Sequence, residues 1–398
     1  MRETPVAKKR PLIGLNGRFL VAQRTGVQRS AYRLFQSILE QGSDKYDFIL
    51  FTGDSEAYAP DWQRPNVRVV TSPLSQRTIL RNHLWEQVTL PRLAAKYGVD
   101  VLHSPANLAP LFYSGRSIVN IHDLCFLVQP AWFSFSFRFI YSWLVPRIAR
   151  KASVVITNSN YSKNDILELL GIEVGRVRLT YWAVDPTFFL YAKPLEERAE
   201  RILFVGSLEP RKNLVGLLKA FNMYRARNPS SRLKLSVVGC ENPLFADEHY
   251  DLGEYGGDID FVGYISDADL ARLYGDSRAL VYPSFYEGFG FPPLEAMAAG
   301  TPVITSRNSS LPEVVGDAAL LVNPSDPAEI AACIERALTT DEARSMSERG
   351  RFQVRRFSWD RVGRHVIGIY DELLTKRAIS PSTIQGEFPV YEHPAQNA

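Results

Sequence analysis

Short apolar runs recur along this chain, each followed by a polar turn and then by apolar residues at helical spacing. In the first half the strand-like runs are 11–15, 46–52, 67–70, 99–105, 117–122 and 153–158, with a shorter one at 177–179. Ala31, Leu34, Phe35, Ile38 and Leu39 line one face of a helix over 28–40, and 80–96 reads as another. Ser159 or Ser162 can cap a helix over 163–170. Residues 191–200 are polar and charged, contain Pro194, and read as a linker. The alternation then resumes. Strands are expected at 201–205, 234–239, 259–264, 279–282, 302–306 and 318–322. Helices are expected at 214–227, 267–274 (capped by Ser266), 294–299 and 327–338. A last helix, 358–376, carries Trp359, Val362, Val366, Ile369, Tyr370 and Leu373 on one face, and 379–398 reads as a flexible tail. Alternating strands and helices in both halves predict an α/β protein of two doubly wound, Rossmann-like domains, 11–190 and 200–357, facing a central cleft.

Composition narrows this picture. The chain has 398 residues, 45% hydrophobic and 22% charged, long enough for two cores. A formal net charge of +3 argues against a nucleic-acid partner. Cys125, Cys240 and Cys333 are far apart in sequence and read as reduced core thiols, which fits a cytoplasmic setting. The first ten residues lack the apolar core of a signal peptide, and no uninterrupted run of 18 apolar residues occurs. The six histidines form no metal-ligand cluster, so no metal site is expected.

The chemistry concentrates at 282–304. Glu287 and Glu295 stand with seven residues between them, and Gly288, Gly290, Pro292 and Pro293 lie in that interval. The order is strand, glycine loop, helix start. Such a junction holds anions, because backbone N–H groups and the helix dipole both face it. Arg211 and Lys212 follow the strand at 201–205 and precede a helix, so they offer fixed positive charge to a diphosphate. Gly26 stands at the first strand–helix junction, where a small residue lets a ligand approach the backbone. His122 and Asp123 leave the C-terminal end of an apolar strand, the end that faces the ligand crevice in a parallel sheet. His103 is a weaker candidate, structural or acceptor-side. Residues 130–151 mix aromatics with Arg138, Arg147, Arg150 and Lys151, and read either as a membrane-surface patch or as a core-packed helix.

The whole string from Tyr282 to Ile304, continued by Leu311-Pro312-Glu313-Val314-Val315, resembles the E-x7-E signature of retaining glycosyltransferases of family four. The resemblance implies a GT-B fold whose last helix, 358–376, crosses back onto the N-terminal domain. It implies an acceptor-side first domain, a donor-binding second domain, and transfer from a nucleotide sugar with no cofactor or metal required. On that resemblance, Glu287 holds sugar hydroxyls, Glu295 binds the ribose, and Gly263-Tyr264-Ile265 form the edge that meets the base. Arg211, Lys212 and N–H groups of the Gly288-Phe289-Gly290-Phe291 loop stabilise the leaving diphosphate. His122 hydrogen-bonds the donor sugar, Asp123 orients its loop or meets the acceptor, and Gly26 lies against the donor. Gly-Ser-Leu-Glu-Pro-Arg-Lys-Asn at 206–213 is similar to the string of bacterial mannosyltransferases, which favours GDP-mannose over UDP-sugars. The implied acceptor is a glycan or a polyprenyl-diphosphate-linked sugar at the inner face of the membrane. The chain departs from the family pattern at Ser207, where many relatives have an arginine, and at 181–185, Tyr-Trp-Ala-Val-Asp, where many have Asn-Gly-Val-Asp. Rivals are a hydrolase built on paired carboxylates, a nucleotide-sugar epimerase, and a non-catalytic nucleotide-sugar-binding protein.

Overall fold

The computed structural model describes residues 10–21, 26–53, 59–74, 79–240 and 250–375; the expected tail at 379–398 and part of the 241–257 loop lie outside them. In chain order the first domain contains β1 (Leu12–Asn16), α1 (Gly26–Gln41), β2 (Asp47–Gly53), β3 (Val67–Ser72), α2 (Ile79–Leu84) and α3 (Leu90–Tyr97). It continues with β4 (Val101–Ser104), β5 (Arg116–Asn120), α4 (Cys125–Val128), α5 (Phe135–Lys151), β6 (Val154–Thr157), α6 (Asn160–Leu170) and β7 (Val177–Leu179). The second domain opens with β8 (Ala199–Val205), α7 (Leu214–Arg227), β9 (Lys234–Val238), β10 (Ile259–Gly263), α8 (Asp267–Asp276) and β11 (Ser277–Tyr282). Then follow α9 (Phe291–Ala298), β12 (Val303–Ser306), α10 (Leu311–Val315), β13 (Ala319–Val322), α11 (Pro327–Ala337), α12 (Thr340–Val354) and α13 (Trp359–Thr375).

All pairings in both sheets are parallel. The seven-stranded order is β3-β2-β1-β4-β5-β6-β7, and the six-stranded order is β10-β9-β8-β11-β12-β13. Each sheet therefore reverses direction once, between β1 and β4 and between β8 and β11. Loops leaving such neighbouring strands on opposite faces open a crevice, where ligands of this architecture sit. Strands such as Ile13, Leu15, Leu203 and Phe204 are buried completely, as sheets covered on both faces require.

Local signals explain most boundaries. Ser159 caps α6 by accepting from the Ser162 amide, and Gly171 ends it in the left-handed region. Ser266 caps α8 as expected. The expected helix over 80–96 is present, but its middle, Trp85–Thr89, is a π-helical turn. That turn carries buried Glu86, which accepts from Asn16 at 2.7 Å and faces Arg18 at 3.2 Å. Helix α12 was not expected; its sequence is too polar for a clear apolar stripe, and only a few positions such as Met346 and Val354 are buried. Cys125 and Cys333 are buried, whereas Cys240 is exposed. The expectation of three core thiols fails there because Cys240 has already left the end of β9.

The last helix packs on the first domain. Gly363 lies against α1 so closely that a Cβ would sit 2.1 Å from Ser37 Oγ. Glu372 pairs with Arg178 at 3.2 Å, and His365 Nδ1 lies 3.0 Å from Thr180 Oγ1. Tyr370 reaches His103 Nδ1 at 2.6 Å, while His103 Nε2 faces Asn120 Oδ1 at 2.7 Å. His103 is thus a buried structural joint between strand and helix.

Burial lowers the His103 pKa to about 4, with the Asn120 contact opposing the shift. In the unfolded chain a histidine titrates near 6.5. The unfolded state therefore binds the extra proton between those values, so this contribution to stability is complete above about pH 6.5 and falls as pH drops toward 4. Thermal unfolding midpoints should decrease from pH 7 to pH 4.5, and the decrease should be smaller in His103→Gln.

Candidate active site

Glu287 lies at the end of the loop that follows β11. Its Oε1 accepts from Lys212 Nζ at 2.6 Å, Tyr282 Oη at 2.7 Å and Ser284 Oγ at 2.6 Å, and its Oε2 faces Arg211 Nη1 at 3.2 Å. Burial opposes ionisation of this carboxyl, yet Lys212 and then Arg211, with hydrogen bonds from Lys212 and Ser284, lower its pKa to about 2. Arg211 also grips Glu209 through Nε at 3.0 Å and Nη2 at 2.6 Å. Glu209 is fully buried, and its Oε2 has no hydrogen-bond partner. The main chain is fixed from behind: Ser309 Oγ accepts from the Glu287 amide at 3.0 Å, and Ser310 Oγ lies 2.8 Å from the carbonyls of both Glu287 and Phe289.

Glu295 occupies the first turns of α9. Its Oε2 accepts from Tyr274 Oη at 3.0 Å and its Oε1 pairs with Arg29 Nη2 at 3.1 Å. Burial raises the Glu295 carboxyl, with Arg29 and the Tyr274 hydrogen bond opposing. Beside it a shallow, open pocket is lined by Gly26, Arg29, Arg33, Asp185, Phe291 and Glu295, among others. The expected first junction therefore does reach the cleft, with Gly26 3.8 Å from the Phe291 ring if it carried a Cβ. Gly290 caps α9 at φ +114°, a value that requires glycine. The anion cradle is leaner than the glycine loop suggests, because Pro292 and Pro293 follow Phe291 and bring no N–H to the first turn.

The two domains touch at the glycine loop. A Cβ on Gly288 would lie 2.5 Å from the His122 carbonyl oxygen. Ser162 Oγ lies 2.9 Å from the His122 carbonyl and 3.2 Å from that of Gly288. With its amide nitrogen turned toward them, Asn158 donates to the same two carbonyls at 3.0 Å. The His122 ring itself turns inward. Its Nε2 lies 3.0 Å from the Pro105 carbonyl, Nδ1 is 3.3 Å from Trp182 Nε1, and burial lowers its pKa, so it is held neutral. Asp123 Oδ1 accepts from the Cys125 amide at 3.0 Å, so it orders its own loop. Gly263, Tyr264 and Ile265 stand at the end of the outer strand β10, with Gly263 at φ +74° and Tyr264 exposed. Tyr181 and Trp182 pack on Phe357 and His122 respectively.

Sequence reasoning singled out the charged pairs but not the groups that hold them. Tyr282 and Ser284 sit just before Glu287 in the motif, and Glu209 adjoins the Arg-Lys pair, so proximity was the available signal. Arg29 and Tyr274 are brought to Glu295 from two distant elements, and nothing local marks them.

Two parallel, doubly wound domains facing one cleft, with a final helix returned to the first, define the GT-B class. The chain belongs to the family-four glycosyltransferases: residues 24–188 match "Glycosyltransferase Family 4" and residues 190–352 match "Glycosyl transferases group 1". It is similar to O-antigen chain mannosyltransferase B of Escherichia coli, 34% identical over 55% of this chain and 60% of that protein. It is also similar to the MMP alpha-(1->4)-mannosyltransferase of Mycolicibacterium hassiacum, 33% identical over 58% of this chain and 57% of that one. The chain thus matches less than two thirds of the length of either relative. Among solved structures, sucrose-phosphate synthase from Thermosynechococcus elongatus superposes with a TM-score of 0.68 at 22% identity, covering 92% of this chain and 99% of that one. That likeness concerns the fold alone.

Replacing Glu287 by Ala would leave Lys212 and Arg211 buried without their shared anion. Breaking a buried pair in this way costs on the order of 3–5 kcal/mol. Denaturant unfolding of Glu287→Ala should show a loss of that order, and a saturating nucleoside diphosphate should restore part of it by supplying a substitute anion.

Proposed function

We propose that this protein is a retaining hexosyltransferase. It moves a sugar, mannose from GDP-mannose in the favoured reading, onto a lipid-linked or oligosaccharide acceptor during cell-surface polysaccharide assembly. The observation that carries the reading is the buried Glu287–Lys212–Arg211 cluster at the cleft between the two sheets. The similarity to two mannosyltransferases supports mannose.

In this reading the donor's C1–O bond to the diphosphate breaks and a C1–O bond to the acceptor hydroxyl forms on the same face. The acceptor proton leaves with the phosphate. Arg211 and Lys212 sit where charge grows on the leaving group, in a site too dry for water to do the same work. Glu287 shares those cations, so it stays ionised and accepts hydrogen bonds from sugar hydroxyls while supporting positive character at C1. Glu295, beside the Gly26–Phe291 pocket, takes the ribose. His122 reaches the donor sugar only by exchanging the Pro105 carbonyl for it; otherwise its part is to hold the loop that touches Gly288. A hydrolase has no use for a diphosphate clamp, and an epimerase needs no acceptor.

A membrane contact belongs to the same reading. Helix α5 buries Val145, Pro146, Ile148 and Ala149, but Phe135, Phe139 and Trp143 follow one stripe and are 72%, 68% and 50% exposed. Arg138 lies over Phe135, Arg147 over Trp143, and Lys151 over exposed Phe112. The helix has four cations and no acid. Aromatics with flanking cations suit an anionic headgroup layer. Just upstream, Trp132 stacks on Phe285 of the Glu287 loop, which would bring the lipid surface close to the cleft.

Donor turnover tests the reaction. Purified protein with a panel of GDP- and UDP-sugars should release nucleoside diphosphate from one donor, only with a membrane lipid extract, and should do so in EDTA. Lys212→Ala should lower kcat by about 10²–10³-fold, as loss of one preorganised charge-stabilising donor does. Binding of a donor without turnover would favour the non-catalytic alternative. For the membrane contact, co-sedimentation with phosphatidylglycerol vesicles should exceed that with phosphatidylcholine, weaken in high salt, and fall in Phe139→Ser/Trp143→Ser.

A further inference from the structure

A second set of bonds crosses between the domains at Glu313, in α10. Its Oε2 accepts from the Asn160 amide and its Oε1 from the Tyr161 amide, both at 3.0 Å. These two N–H groups open α6 in the other domain, where no intrahelical partner exists for them. A carboxylate there also meets the positive end of the helix dipole. Tyr181 Oη donates to Glu313 Oε2 at 2.6 Å and accepts from Asn160 Nδ2 at 2.7 Å, which closes the cluster.

The position of Glu313 couples it to the donor loop. Three residues upstream, Ser310 holds the carbonyls of Glu287 and Phe289; Ser309, at φ +55°, holds the Glu287 amide. On the far side, α6 presents Ser162, whose hydroxyl meets the carbonyls of His122 and Gly288. A closed ring of contacts therefore runs from the Glu287 loop through Ser309 and Ser310 to Glu313, on to α6, and back through Ser162 to Gly288. If Glu313 lets go, the ring opens at one point and the two loops lose their shared reference.

We propose that Glu313 is a positioning residue: its carboxylate latches the second domain onto the start of α6 and so sets the register between the Glu287 and His122 loops in which transfer occurs. Only the kinetic part of this inference rests on the transferase reading above. In that reading the groups assigned to the diphosphate, sugar and ribose, Arg211, Lys212, Glu287 and Glu295, all lie in the second domain, so the latch governs kcat more than donor affinity.

The test compares Glu313→Ala, Glu313→Gln and Tyr181→Phe with the parent, with folded fractions matched by circular dichroism. Glu313→Ala should lower kcat roughly ten- to a hundredfold, the scale of losing hydrogen bonds to a charged group. Affinity for GDP-mannose, or for UDP-glucose if that is the donor, should change less than about threefold, the behaviour of an interaction made only on the way to reaction. Amide hydrogen exchange at Asn160 and Tyr161 should speed up, and the radius of gyration from X-ray scattering should grow as the cleft opens. Glu313→Gln, which keeps one carbonyl acceptor, should fall between alanine and the parent. Unchanged kcat with unchanged exchange at 160 and 161 would overturn the proposal. So would a loss of donor affinity parallel to kcat with no change in scattering, since that would place Glu313 in the donor site itself. If the parent protein turns over no nucleotide sugar, the transferase reading fails. Exchange and scattering still decide the latch.

Discussion

An ionised carboxylate taken out of water must be compensated by fixed positive charge or by a full set of hydrogen-bond donors. At Glu287 that condition is met by Lys212 and Arg211, and Arg211 in turn is balanced by Glu209. The cations leave the end of β8 and the carboxylate leaves the end of β11. Those strands are neighbours in the sheet, in register at Leu203 and Leu280, and they flank the point where the strand order reverses. The ion cluster thus depends on the topology of the sheet, and the topology places it at the crevice. A pre-paired cluster also has a chemical consequence. In the proposed reaction a diphosphate entering here would exchange partners with carboxylates already in place, meeting cations that are already ordered.

The second domain does not complete the cleft alone. The His122 loop and the Gly288 loop meet so closely that no side chain fits at residue 288. Trp182 lies between the His122 ring and Trp359 of the returning helix, stacked on the latter at 6.0 Å. The His122 loop, the Gly288 loop and the C-terminal helix are therefore one packed unit. Tyr181 and Trp182 are part of that packing.

Much of this was legible in sequence because the central strands, such as β1, β4, β8 and β11, are buried and carry short apolar runs. The Glu287–Glu295 spacing, the Arg211-Lys212 pair and the last helix rest on local patterns, whereas that helix's return to the first domain follows from the family resemblance. What was not legible came from distance. Arg29 and Tyr274 reach Glu295 from α1 and α8, and no periodicity in either helix announces it. A strand end points His122 at the crevice, and the family resemblance makes its partner a sugar. The ring instead finds the Pro105 carbonyl, 17 residues away in the chain, which strand patterning cannot reveal. The two faces of α5 show the limit of an either-or reading, since its last turns are core and its outer stripe is not.

The return of α13 to the first domain means that the backbone passes between the domains twice, once through the segment before β8 and once between α12 and α13. Two covalent crossings act like the two pins of a door. They leave rotation about the line joining them and resist sliding or twisting about any other axis. Rotation about that line is thereby the motion the two crossings oppose least, and contacts away from it, such as those of Glu313 with the start of α6, set the angle between the halves. The same arrangement makes neither half separable by a single cut, because the first domain would lose the helix that seats Gly363 on Ser37.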